Sequence, residues 1–131
     1  EIDITNTPGL RTINMVESGV ERIIQNYNPG INWLMAYDSK LSTLDLSLWP
    51  NITIINVNRT FISELDFSNN PKIDDVHCKG APINNSEEAL LQMANSLPDR
   101  TNKTSGYLHI DSGSIPIIEA ICNAKNWSVS N

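Results

Sequence analysis

Apolar residues recur at a fixed interval of 21 positions through residue 83. Each interval holds two copies of the pattern L-x-x-L-x-L, one in a half of ten residues and one in a half of eleven. The columns of the shorter half are Leu10, Ile31, Ile52 and Ile73, then Ile13, Leu34, Ile55 and Val76, then Met15, Ala36, Val57 and Cys78. Those of the longer half are Val20, Leu41, Ile62 and Ile83, then Ile2, Ile23, Leu44 and Leu65, then Ile4, Gln25, Leu46 and Phe67. Apolar positions two residues apart predict two short extended stretches in each interval.

Prolines keep the same interval, at Pro8, Pro29, Pro50 and Pro71. Proline has a fixed φ and no amide donor, so it suits a corner between extended stretches. A period of about 20–29 residues with leucine-like positions at constant offsets is typical of a leucine-rich-repeat solenoid. We therefore predict an α/β fold in which residues 1–83 form a right-handed leucine-rich-repeat solenoid, mostly of short strands and turns.

Residues 10–28 also fit a helix, because their apolar positions follow helical spacing as well. Gly19 would weaken such a helix in its middle. The agreement with the later columns favours the repeat and leaves the helix as an alternative.

The period ends after Ile83, and the remaining residues predict different elements. Ser86 followed by Glu87 and Glu88 is typical of a helix start, and Pro98 ends that helix. A strand is predicted over residues 107–111, a second helix opens at residues 113–114 and runs from about 115 to 125, and a final edge strand includes residues 127 and 129. We predict that residues 84–131 form a C-terminal cap and that residues 1–131 are a single domain.

Composition excludes two classes of partner. The net charge of −6 does not suit nucleic acid, and it offers no basic face for an anionic membrane. No apolar run approaches the roughly 20 residues of a membrane span, so we expect no direct membrane insertion of this segment. Because Ile2 and Ile4 already occupy core positions of a half-repeat, we expect further chain before Glu1. The oligomeric state stays open.

The two cysteines are too few to make a disulfide framework. Cys78 stands in an apolar column, which favours a small buried side chain over a disulfide with Cys122 or a reactive thiol. The redox state of both cysteines stays open.

The chain resembles extracellular leucine-rich-repeat proteins of Bacteroides-type bacteria. Their repeats nest halves of ten and eleven residues, as the segments LDLS at 44–47 and LDFSNNP at 65–71 do here. The segments LPDRTNKTSG at 97–106 and AKNWSV at 124–129 are similar to the tails of such proteins. The resemblance implies a protein that is secreted or anchored at the cell surface, or a lipoprotein, and it brings no catalytic residues. Asn is expected at the ninth position of a half-repeat. The ten-residue halves have Ser, Thr or Ala there, and the Ala81 corner should be the least restrained.

The ten-residue halves best match the strands of such repeats, so we assign them to the concave sheet. Residues between the core positions then point to solvent, and several of them are aromatic or apolar, which indicates an interaction site. The predicted partner-binding residues are Trp33, Met35, Tyr37, Ile54, Asn56, Asn58, Asp75, His77, Tyr107 and His109. The alternative is that Trp33 and Met35 pack under the N-terminal segment.

A metal cluster of His77 and His109 with Asp75 and Asp111 is conceivable if the two histidines lie on neighbouring strands. No sequence-local ligand spacing supports it, and two separate surface histidines are the commoner outcome. No nucleophile elbow, zinc-protease helix or phosphate loop is present either. The sequence therefore predicts no enzyme, no metal and no cofactor.

These observations predict a non-catalytic binding module that recognises a protein or glycan through the concave face. The alternative is a structural spacer, or a C-terminal segment of a larger bacterial surface protein, that has no ligand of its own. Glycan arrays or host-protein pulldowns would separate the two.

Overall fold

A computed structural model of the chain describes residues 1–111 and 115–131. Its strands and helices, in chain order, are β1 (Ile2–Asp3), β2 (Thr12–Asn14), β3 (Ile23–Ile24), β4 (Trp33–Met35), β5 (Ile54–Asn56), β6 (Asp75–His77), α1 (Glu87–Ser96), β7 (Gly106–His109), α2 (Pro116–Ala124) and β8 (Trp127–Ser130). Two short 3-10 segments, Leu46–Leu48 and Pro82–Asn85, lie between them.

The main sheet has six parallel strands in the order β2-β4-β5-β6-β7-β8. Its first four strands pair so that each residue lies opposite the one 21 positions further along, with Thr12 opposite Trp33, Trp33 opposite Ile54, and Ile54 opposite Asp75. Between β6 and β7, and again between β7 and β8, the connection passes through an α-helix, whereas the connections among β2, β4, β5 and β6, within the described residues 12–77, contain none. The 21-residue period of the sequence therefore determines which residues lie opposite each other in these four strands.

The predicted second extended stretch of each interval forms a strand only twice, in β1 and β3, which make a separate two-stranded parallel sheet. Gln25, the polar residue in an apolar column, exchanges two side-chain hydrogen bonds of 3.0 Å with the backbone of Asp45. A 3-10 segment follows at once, and residues 41–50 and 61–72 contain no strand. In these residues, local side-chain hydrogen bonds and turns stand where strand pairing between successive second stretches would otherwise continue.

The predicted fold class, a right-handed leucine-rich-repeat solenoid closed by a cap, is wrong. The described residues form a small α/β fold with two parallel sheets and two α-helices, and they form no closed solenoid. Two features overturn the prediction. The second stretches form a sheet only where β1 pairs with β3, and residues 84–131 add β7 and β8 to the main sheet through helical crossovers.

The apolar columns lie in one core. Ile31, Ile52 and Ile73 are fully buried, as are Leu34, Ile55 and Val76 in the middle of their strands. Four other apolar positions of the columns, Ile2, Leu10, Val20 and Leu44, are only partly buried against this core. The helix that was left as an alternative for residues 10–28 is absent, since that stretch contains β2 and β3.

The helix predicted after Ser86 is confirmed as α1. The Ser86 hydroxyl accepts a 3.1 Å hydrogen bond from the Ala89 amide, and Glu87 and Glu88 lie in the first turn. Because a helix begins with unpaired amides, this cap and the two carboxylates stabilise its start. Leu97 ends the helix one residue before the proline.

The later elements agree with their predicted positions to within two residues. The second helix runs over Pro116–Ala124 rather than from 115 to 125, and the predicted opening of that helix at residues 113–114 lies outside the described residues. The strand predicted over 107–111 is β7, and the final edge strand is β8. No helix in the described ranges combines the length and the apolar character that crossing a bilayer would need.

Candidate functional site

One face of the six-stranded sheet packs on the core and the other points away from it. Alternate residues of a strand point to opposite faces, so the residues whose side chains point toward the core form one buried row across the strands. We call the opposite surface the outer face. Its two rows are Thr12, Trp33, Ile54, Asp75, Tyr107 and Ser128, and Asn14, Met35, Asn56, His77, His109 and Ser130.

The outer face carries two large aromatic side chains that are exposed. Trp33 is 43% exposed and Tyr107 is 52% exposed, while Met35 and Ile54 beside them are partly exposed. Trp33 and Tyr107 stand three strands apart, about 14 Å at the usual strand spacing. The alternative that Trp33 packs under the N-terminal segment does not fit an exposure this large.

All ten predicted partner-binding residues lie on or beside the outer face. Eight of them are in its two rows, and Tyr37 and Asn58 follow the ends of β4 and β5. The two asparagines also have structural roles: Asn56 Oδ1 accepts from the Asn58 amide at 3.1 Å, and Asn58 Oδ1 accepts from the Lys79 amide at 2.7 Å. Their side chains are therefore partly engaged within the chain.

Ser128 and Ser130 belong to the outer face and were not predicted there. The sequence pattern predicts only that Trp127 and Val129 belong to a final edge strand. The alternation of that strand was the signal that could have placed the two serines on the opposite side.

A shallow depression crosses the outer face between β5 and β7. It is lined by Ile54, Asp74, Asp75, Thr104, Ser105 and Tyr107. It combines one exposed aromatic ring, two carboxyl groups and two hydroxyl groups within one small surface.

The only two histidines of the chain meet beside this depression. The pairing of β6 with β7 puts His77 opposite His109, and their rings stack with centroids 4.0 Å apart and an angle of 9° between planes. Asp75, two residues before His77, lies on the same face. Its Oδ1 atom is 2.9 Å from His77 Nε2 and 3.5 Å from His109 Nε2.

Asp75 Oδ1 is buried and accepts no hydrogen bond from the described residues, although both imidazole nitrogens are close. The short distances therefore reflect proximity without a well-aimed N–H donor. A buried carboxylate oxygen without a donor is costly unless another group compensates it.

The hydroxyl of Ser130 lies 2.6 Å from His109 Nδ1 and orients that ring from its far side. Burial lowers the pKa of His109 below its usual 6.5, with His77 as the second cause, while the Asp75 carboxylate acts in the opposite direction. His109 is therefore neutral at pH 7. Either the Ser130 hydroxyl or His109 Nδ1 can donate in this contact, and in both cases the Nε2 atom of His109 lies on the side of Asp75.

Asp111, the fourth member of the conceivable cluster, is not part of it. Its Oδ1 accepts a 2.8 Å hydrogen bond from the Gly80 amide, and the three ligand atoms that lie within 4.8 Å of one another belong to Asp75, His77 and His109. The structure thus brings together three of the four residues.

The two cysteines are buried and form no disulfide with each other. Burial raises the pKa of the Cys78 thiol to about 12 and that of the Cys122 thiol to about 11. Both thiols are therefore protonated and weakly reactive at neutral pH.

No protein-family model matches the chain, and no curated protein shows significant similarity to it. The chemistry of the outer face therefore has to support any functional assignment by itself.

Proposed function

We propose that this chain is a non-catalytic binding module that recognises a partner protein through its outer face. The observation that carries the proposal is the exposure of Trp33 and Tyr107 on a sheet whose other face already fills the core. Burying such rings against a partner removes apolar area from water, at roughly 25 cal/mol per Å². Trp and Tyr are also the residues that most often dominate binding energies.

The residues between the two rings favour a protein over a nucleic acid. Met35 and Ile54 add apolar surface next to Trp33, and methionine is enriched in protein interfaces. Asp75 places a carboxyl group in the middle of the row, where a phosphate backbone would be repelled.

The experiment that tests the proposal first captures partners on the immobilised wild-type chain and then measures each purified partner against variants. Trp33→Ala and Tyr107→Ala are each expected to weaken binding at least about tenfold, because they remove the central aromatic contacts. Tyr27→Ala is the matched control, since Tyr27 is 64% exposed but lies outside both sheets. Equal affinity of all three variants would overturn the proposal.

Thermal unfolding of the same variants separates binding from packing. Trp33→Ala is expected to lower the midpoint much less than truncation of a fully buried residue such as Ile55, because 43% of Trp33 is exposed. A large fall in the midpoint would instead mean that Trp33 has a structural role.

A glycan is the second candidate, and the depression beside Tyr107 favours it. A sugar can stack on an aromatic ring and bond neighbouring carboxyl groups, and Asp74, Asp75, Thr104 and Ser105 surround that ring. Binding on a glycan array that Asp74→Asn and Tyr107→Ala abolish would support the glycan in place of the protein. If neither a protein nor a glycan binds, the chain acts as a spacer or segment of a larger surface protein.

We further propose that the protein works outside the cell or anchored at its surface. The support is the resemblance of its repeats and tail to extracellular proteins. Protease treatment of intact source cells should remove the protein, whereas protection until the cells are lysed would contradict this location.

A further inference from the structure

We propose that Asp75, His77 and His109 form a binding site for a divalent metal ion, with Zn²⁺ as the favoured occupant. The site does not depend on the proposed partner, because all three ligands belong to this chain. It goes beyond the proposed binding of a partner because it places a metal-binding site on the outer face.

The first step of the argument is the donor set. Two imidazole nitrogens and one carboxylate oxygen are a combination that suits zinc and related first-row divalent ions. The soft thiol ligands of the chain are absent from the site, since Cys78 and Cys122 are buried in the core. Hard ions such as Mg²⁺ and Ca²⁺ prefer sets made of oxygen atoms.

The second step is the geometry. With metal–ligand distances of about 2.0–2.2 Å, ligand atoms of a tetrahedral site lie about 3.4 Å apart. The Oδ1 atom of Asp75 lies 2.9 Å from one Nε2 and 3.5 Å from the other. All three ligand atoms lie within 4.8 Å of one another. The two distances from Asp75 are therefore close to the tetrahedral value. Because the two rings are stacked with an angle of 9° between planes, one imidazole turns out of the stack when the ion binds, so that both Nε2 lone pairs reach it.

The third step is the unsatisfied Asp75 oxygen. Oδ1 is buried and accepts no hydrogen bond from the described residues, so the carboxylate lacks compensation in the metal-free chain. An ion pair with a protonated His77 would explain the 2.9 Å contact alone. It would not explain why the Nε2 atom of a second imidazole lies 3.5 Å from the same oxygen. A shared cation satisfies all three groups at once.

The fourth step is the support around the ligands. Ser130 Oγ lies 2.6 Å from His109 Nδ1, which is where metal-bound histidines usually find their second hydrogen-bond partner. The sheet register fixes the positions of both histidine backbones. The three side chains remain about 30% exposed, at 27% for the histidines and 31% for Asp75. The site therefore has three protein ligands and an open position toward solvent.

The test is calorimetric titration of the purified chain with ZnCl₂, together with the visible absorption of the CoCl₂ complex. We expect one ion per chain and a cobalt spectrum of nitrogen and oxygen ligation. His77→Gln, His109→Gln and Asp75→Asn are each expected to weaken zinc binding at least about tenfold, and Ser130→Ala about tenfold. Asp111→Asn is the matched control, because it removes a nearby carboxylate that bonds the Gly80 amide, and it should bind zinc as the wild type does.

Wild-type NMR keeps the test independent of how the variants fold. With only two histidines in the chain, zinc should shift the imidazole signals of both and leave the signals of side chains outside the sheets, such as Tyr27, unchanged. No heat with wild type, unshifted imidazole signals, or equal weakening by Asp111→Asn and Asp75→Asn would each overturn the site. Because no partner is present in any of these measurements, failure here leaves the binding-module proposal standing.

Discussion

The first four strands of the main sheet repeat one contact pattern, whereas the region after residue 84 uses a different contact at each place. In the first region the amides of Met15, Ala36 and Val57 donate to the carbonyls of the next row at 2.8–2.9 Å. The corner after each of these strands is left-handed, with φ of 52°, 59°, 53° and 70° at Glu17, Asp38, Arg59 and Gly80.

In the region after residue 84, single polar side chains join distant segments. Lys125 Nζ donates to the carbonyls of Asn95 and Leu97 at the end of α1, at 2.7 and 2.9 Å. Trp127 Nε1 donates to the Pro98 carbonyl at 2.9 Å. The carbonyls that end a helix lack internal partners, so these bonds fix the end of α1 against the end of α2 and the start of β8.

This difference shows where the chemistry of the molecule arises. The repeated region supplies a regular sheet, in which each strand contributes one side chain to each of the two rows of the outer face. The two histidines meet only at the junction of the two regions, where β6 pairs with β7. The candidate site therefore combines residues of the repeated region with a residue of the region after residue 84.

The largest effect should come from truncating the core in each region. Ile55→Ala and Leu108→Ala remove fully buried side chains from the same inward row. Each should lower the free energy of unfolding by about 2–5 kcal/mol, through lost burial and the cavity left behind. Urea unfolding followed by far-UV and near-UV signals measures this.

If the two regions form one cooperative unit, both variants should show a single transition with the wild-type slope. Two separate transitions in Leu108→Ala alone would show that the regions unfold independently.

A smaller effect is expected from Gly106→Ala in β7. A Cβ atom there would come within 2.6 Å of the ring of Trp127, which is buried and hydrogen-bonded. Overpacking of this kind should lower the free energy of unfolding by about 1–3 kcal/mol. Gly19→Ala is the control, because no atom lies within 4 Å of its added Cβ. Equal stability of the two variants in urea would contradict this packing.

The smallest effect concerns the corner ion pair of the repeated region. Arg59 Nε lies 2.6 Å from Asp38 Oδ1, and this guanidinium lowers the pKa of the Asp38 carboxyl below its usual 3.8. A lowered pKa means that the pair stabilises the fold above pH ~4 and that this contribution is lost as pH falls through the folded-state pKa. NMR titration should show the Asp38 pKa rising toward 3.8 in Arg59→Gln, while Asp66, which bonds Ser68, keeps its own lowered pKa.

Much of the local structure follows from patterns within the sequence. The apolar columns predict the buried rows, since a period of 21 residues gives each column one place in the core. The start of α1 follows from Ser86 and two glutamates, because capping depends on residues within one turn. Ser128 and Ser130 show that the alternation of β8 held further information about the outer face.

Two expectations failed because distant or neighbouring side chains changed the local outcome. The corner near Ala81 was expected to be the least restrained, yet Asn84 Nδ2 donates to the carbonyls of Cys78 and Ala81 at 2.6 and 3.0 Å. The second stretch was expected to be extended in every interval, but Gln25 bonds the Asp45 backbone and the later intervals turn there. Column patterns contain no information on such individual bonds.

The period of the chain was sufficient to predict which side chains are buried and which point outward, because strand alternation and the repeat interval are local properties. It could not predict that Asp75 and His77 would stand beside His109, since that meeting depends on how far the helical crossover shifts β7 along β6. Nor could the period exclude Asp111 from the conceivable metal cluster, because the hydrogen bond between its carboxylate and the Gly80 amide is known only from the structure. Contacts between residues 30 positions apart exist only once the chain has folded.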